Sequence, residues 1–100
     1  MAKKVILMPL AEANYDTIIT YLLIAWNVKV ANEFIDRLTQ VIGYIAGNPQ
    51  MYAFVDDVKR VQKCVLTKQN VIYFVETDDV IKILAIFDSR QSPDKLLNII

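Results

Sequence analysis

Between Lys59 and Gln91 the apolar residues fall into three runs, 61–67, 71–76 and 80–87, separated by the turn-prone segments Lys68-Gln69-Asn70 and Thr77-Asp78-Asp79. The runs have strand length and are rich in Val, Ile, Tyr, Phe and Thr, which pack well on a pleated surface. Connections this short cannot hold a crossover helix, so the pattern predicts an antiparallel meander. Upstream the period changes. Ala11, Tyr15, Ile18, Ile19, Leu22 and Trp26 recur at three- and four-residue steps, the stripe of an amphipathic helix, and Ala31, Phe34, Leu38, Val41 and Ile45 repeat the pattern after a break at Asn27. Tyr21, Leu23 and Ile24 widen the first stripe past one face, and a helix apolar on more than one side needs cover on more than one side. The short break predicts an antiparallel helical hairpin packed on the sheet.

The ends of these elements carry their own signals. Residues 4–8 form an apolar run with strand propensity, expected at a sheet edge, which Pro9 ends. Pro9 suits the first turn of a helix, with Glu12 and Asp16 near the positive end of its dipole. Gly47 stands where a helix C′ residue belongs, and Pro49 follows it. Residues 51–58 read as an irregular connection from which Tyr52, Phe54 and Val55 dock on the core. Ser92-Pro93-Asp94 predicts the start of a short helix through Lys95, Leu96 and Leu97. The tail Leu97-Asn98-Ile99-Ile100 is apolar, so either its own domain or a partner covers it. The expectation is one α+β domain: a short N-terminal strand, an antiparallel two-helix hairpin packed on a three- to four-stranded antiparallel sheet, and a short C-terminal helix.

Composition narrows the chemistry. The 100 residues are 55% apolar, enough for a single core, and the formal charge is zero from 11 basic and 11 acidic residues. No global field draws such a chain to nucleic acid or an anionic membrane. Without histidine it lacks the usual general base and the commonest metal ligand, so no metal or cofactor is expected. A single cysteine, Cys64, fits a reducing compartment, and the most lipid-like window, 18–26, is about half a membrane span. With no signal peptide legible, a cytoplasmic protein is expected.

Charge is nevertheless concentrated locally: residues 59–68 hold Lys59, Arg60, Lys63 and Lys68 and no acid. Strand alternation puts Lys63 on one face with Val61 and Val65, and Arg60, Gln62, Cys64 and Leu66 on the other. Two readings stand side by side, a solvated edge protected by lysine and a site for phosphate or an acidic partner segment with Arg60 making bidentate contacts. Arg90 follows the last strand, either paired locally with Asp88 or projecting beside Arg60. Tyr73 reads as a mid-strand core residue and Cys64 as a small buried hydrophobe. Asp56, Asp57, Asp78 and Asp79 fall in turns and form no paired-carboxylate site.

An ordered set of motifs goes further: Pro9-Leu10-Ala11-Glu12 opening the first helix, Tyr21 and Trp26 near its end, Ala31, Phe34 and Leu38 in the second, Asn48-Pro49 after it, Arg60 before the first long strand, Tyr73 in the next, and Phe87-Asp88-Ser89-Arg90-Gln91-Ser92-Pro93 at the end. Over roughly residues 4–96 this set resembles the RelE/ParE superfamily of toxins from bacterial type II toxin–antitoxin modules, a group associated with plasmid stabilization. The resemblance implies a growth inhibitor held inactive by a cognate antitoxin, whose extended segment wraps the helices and sheet in a homodimeric or heterotetrameric complex. Its RelE-like branch cuts mRNA on the ribosome with sheet-borne basic residues and a terminal Tyr or His. Arg60, Lys63, Tyr73 and Arg90 are then the candidate catalytic residues, although this chain has no His and no Tyr after Arg90. The ParE-like branch poisons DNA gyrase by protein contact, and the hairpin with Tyr21 and Trp26 looks more like this branch. Target or antitoxin binding is accordingly expected at Arg60, Lys63, Arg90, Tyr21, Trp26, Leu97 and Ile99. A third reading is a chain without toxicity that survives as an antitoxin-binding, autoregulatory partner.

Overall fold

The three predicted runs form the centre of the sheet in the computed structural model, which describes residues 2–100. In chain order the elements are β1 (Lys4–Leu7), α1 (Pro9–Ala25), α2 (Val28–Gly47), a 3-10 turn (Pro49–Met51), β2 (Phe54–Asp56), β3 (Val61–Val65), β4 (Asn70–Glu76), β5 (Val80–Asp88) and α3 (Asp94–Leu97). The helical hairpin, the β3-β4-β5 meander and the short C-terminal helix stand as the pattern predicts. The sheet is wider than expected, with five strands in the order β1-β5-β4-β3-β2. One edge is the expected N-terminal strand, but it runs parallel to β5, Lys4 facing Val80 through Leu7 facing Ile83. The helices and three strands that intervene supply the long connection that parallel pairing requires.

The other edge comes from the segment expected to be irregular. Phe54 and Asp56 pair with Gln62 and Val61 across a tight turn, in which Asp56 Oδ1 accepts the Lys59 amide at 2.8 Å. Arg60 closes that turn at φ 59°, in the left-handed region that most side chains avoid. The segment is a strand because β3 offers it a ladder. Tyr52 meets Phe74 edge-on at 5.9 Å and Val55 joins the core, as expected, whereas Phe54 stays partly exposed under the Arg60 guanidinium, 4.0 Å from the ring centroid. Gln62, the buried polar residue of β3, donates to the carbonyls of Pro49 at 2.8 Å and Tyr52 at 2.9 Å, which anchors the 3-10 turn to the sheet.

One sheet face carries Cys64, Leu66, Ile72, Phe74, Ile81, Ile83 and Ile86 against the helices. All five residues of the second predicted stripe, Ala31, Phe34, Leu38, Val41 and Ile45, are buried, the last four in this core. In α1 only Ala11 is fully buried; Tyr15, Ile18, Ile19 and Leu22 are half-buried against the same core. The face change in β5, from Ile81 and Ile83 to Ile86, comes from a bulge: Tyr73 pairs with Ala85 and Phe74 with Ile83, which leaves Leu84 as the extra residue. Past the end of β1, the Ile86 amide is taken by Asn14 Oδ1 of α1 at 2.9 Å. The opposite face carries Val61, Tyr73, Ala85 and Phe87 against Leu96 of α3.

The helix ends follow local chemistry. Asn27, the break between stripes, is the N-cap of α2, its Oδ1 accepting the Val30 amide at 2.9 Å. Gly47 is the last residue of α2 and not a left-handed C′ glycine; Asn48 caps the helix and Pro49 opens the 3-10 turn. Among the described residues no helix is long and apolar enough to cross a membrane.

Candidate functional site

A groove of about 840 Å3 lies where the connected end of the helical hairpin overhangs the sheet. Tyr21 and Leu22 come to it from α1, Trp26 from the cap after it, Phe34 and Arg37 from α2, Thr67 from the β3–β4 turn, Asn70 from the start of β4, and Asp88 and Arg90 from the end of β5. It forms because the apolar pattern of α1 runs on past the sheet it packs against. Tyr21 is 61% exposed and Trp26 64%, with Leu23 and Ile24 uncovered beside them. Among the described residues nothing covers the extra apolar side of this helix.

The polar wall of the groove is held in shape. The Arg90 guanidinium grips Asp88 through Nε to Oδ1 at 2.9 Å and Nη2 to Oδ2 at 3.1 Å, and the Arg90 amide donates to Asp88 Oδ1 at 2.8 Å. These bonds hold the Asp88 carboxyl below the usual carboxylate range and raise Arg90 above its ordinary value. Gln91 Oε1 accepts the Asp88 amide at 2.8 Å, and the Ser89 amide donates to the Gln69 carbonyl at 2.7 Å. Arg37, which the sequence reading missed, donates through Nε to the Leu66 carbonyl at 3.2 Å and through Nη1 to Gln40 at 3.0 Å. Its position three residues after Phe34, beside the buried stripe, was the available signal.

The structure brings Tyr21, Trp26 and Arg90 together in the groove, sets Lys63 beside Tyr73 on the α3 face with Leu97, and keeps Arg60 apart from Arg90. The local Arg90–Asp88 pair is formed, and Arg90 does not project beside Arg60. Strands β3 and β5 both run antiparallel to β4, so they run in the same direction. Arg60 precedes β3 and Arg90 follows β5, which sets them at opposite ends of the sheet, about 20 Å or more apart at about 3.3 Å per residue. Lys63 stands opposite Tyr73 on the α3 face, while Arg60 covers Phe54, whose ladder partner Gln62 faces the helices. Tyr73 is buried, edge-on to Phe87 at 5.8 Å, and burial pushes its phenol above its ordinary value. Burial likewise raises the Cys64 thiol. Leu97 packs on the α3 face, where its carbonyl accepts Lys59 Nζ, and Ile99 is exposed.

A family model described as the ParE toxin of the type II toxin–antitoxin system parDE matches residues 5–93. The chain belongs to the ParE toxin family. Among solved structures, this ParE-family chain is similar to one of the chromosomal ParDE TA system from P. aeruginosa, with TM-score 0.74 and 15% identity over 87% of this chain and 96% of that one. It is also similar to a conserved hypothetical protein from Helicobacter pylori, with TM-score 0.58 and 19% identity over 91% and 98%. At these identities the likeness is one of fold. No curated protein matches the sequence significantly. Membership makes the chain a type II toxin–antitoxin toxin, and for such a ParE-family protein the groove is the surface with both apolar anchors and ordered charge.

Proposed function

We propose that this chain is a growth-inhibiting toxin of the bacterial cytoplasm that acts by protein contact on DNA gyrase and is neutralised by a cognate antitoxin. The observation that carries this reading is the groove at the end of the hairpin. It combines two exposed aromatic anchors, Tyr21 and Trp26, with the pre-organised Arg90–Asp88 pair, a combination typical of the energetic centres of protein interfaces. The dispersal of Arg60, Lys63 and Arg90 over two faces and two ends of the sheet also favours contact over catalysis. Acid–base cleavage of RNA needs groups within hydrogen-bond reach of one bond.

The test is a pair of assays on the purified chain: gyrase supercoiling with a check for trapped cleaved DNA, and mRNA cleavage in a translating extract. Inhibited gyrase with intact message is the expected result. Cleaved message with normal gyrase would overturn the reading in favour of a ribosome-dependent ribonuclease. Neither effect, together with soluble expression and no slowing of growth, would replace it with a non-toxic autoregulatory partner.

A further inference from the structure

Helix α1 carries its charge at one end and an uncovered apolar strip at the other. Ala11, Tyr15, Ile18, Ile19 and Leu22 face the core, and at about 100° per residue Asp16, Thr20 and Ile24 fall on the far side, all three exposed. Glu12 and Asp16 are followed by twelve residues, 17–28, without a charge, and Lys29 closes the stretch at the hairpin tip. Among the described residues none of Glu12, Asp16 and Lys29 is in an ion pair.

The uncharged stretch holds the large apolar side chains of the tip: Ile24 is 81% exposed, and Leu23, Trp26 and Val28 stand out beside it. The exposed side of α2 differs, carrying Asn32, Glu33, Asp36 and Arg37, so the strip stops within the first turn of that helix. With Tyr21 the strip offers roughly 600 Å2 of surface, near the ~800 Å2 that each partner contributes to a standard interface. It stands at the upper end of the apolar patches that monomers expose.

We propose that this strip is a homodimer surface, on which two copies of the chain cross their hairpin tips about a two-fold axis near Leu23. The axis uses the strip twice and sets the Asp16 end of each copy over the Lys29 tip of the other, so apolar cover and both ion pairs form together. An anionic bilayer fits the same strip less well, because two carboxylates flank it against one lysine. Tyr21 and Trp26 also line the groove, so the dimer covers the wall that the target-contact reading uses. The inference goes beyond the gyrase reading and does not depend on it, since self-association requires no target.

The test is sedimentation equilibrium of the purified chain over a wide range of concentration, with the emission of Trp26, the sole tryptophan, read on the same samples. A monomer–dimer equilibrium is expected, with Trp26 emission moving to the blue as dimer forms. Asp16→Lys and Lys29→Asp should each raise the dimer dissociation constant about tenfold or more, because each turns both ion pairs of a dimer into like-charge contacts. An equimolar mixture of the two variants should recover a dimer, since each end of the mixed pair again meets its opposite charge. Ile24→Glu should also dissociate the dimer, and Lys95→Glu on α3 should sediment as the parent does. All of these positions are exposed, so unchanged melting curves are expected and separate loss of pairing from loss of fold. A monomer at every concentration, a dimer that Ile24→Glu leaves intact, single variants that stay apart on mixing, or a blue shift that requires phosphatidylglycerol vesicles would each overturn the proposal.

Discussion

Arg60 and Asp88 are the residues whose local chemistry yields the sharpest expectations. Arg60 sits at φ 59°, where a Cβ costs about 1–2 kcal/mol and a β-branched side chain more. Arg60 already carries that Cβ cost, so Arg60→Val should lower stability only by the extra penalty of β-branching in denaturant unfolding, while Arg60→Gly, which adopts this region freely, should be close to neutral or stabilising. For Asp88 the sign is that of a depressed carboxyl. Its hydrogen bonds from Arg90 hold the folded value below the unfolded one, so the stabilisation is present above the ordinary carboxylate range and is lost as pH falls through the lowered value. A carboxyl-carbon NMR titration should find the Asp88 midpoint below the usual aspartate value, and Arg90→Gln should move it back up.

The helices and strands differ in how much of their stability is local. Helix α2 reads as one stripe and packs as one stripe, so truncating its middle leaves a cavity that its neighbours cannot fill. Leu38→Ala should cost about 2–5 kcal/mol and inactivate by unfolding, whereas Arg90→Ala should leave the melting temperature nearly unchanged. Strand β5 depends on a long-range contact. Where it outruns β1, its Ile86 amide has Asn14 as partner, 72 residues away in sequence. Asn14→Ala leaves that amide unpaired and should cost about 1–3 kcal/mol. Faster hydrogen exchange at Ile86 than at the ladder-bonded Ile83 would be its local signature.

At the level of the whole molecule, the groove gathers side chains from both helices, the β3–β4 connection and the end of β5. If the groove contacts the target, Tyr21→Ala and Trp26→Ala should each abolish growth inhibition with a stability change of about 1 kcal/mol or less, because both side chains are mostly exposed. Growth of an inducible strain and thermal melts of the same variants check both halves of that expectation.

The two helices, the meander, the buried stripe of α2 and the short C-terminal helix were legible because each rests on a period or a cap within a few residues. The alternation that puts Lys63 and Arg60 on opposite faces was legible for the same reason. Three features were not. The parallel pairing of β1 with β5 and the strand character of residues 54–56 come from ladder partners that local propensity cannot reveal. The bulge at Leu84 shifts strand parity by one residue, so strict alternation puts the second half of β5 on the wrong face. Whether Arg60 and Arg90 meet is likewise decided by strand direction, and the groove is lined by residues far apart in the chain. Local periodicity thus settled the elements, and register and strand order, which are non-local, settled which side chains share a site.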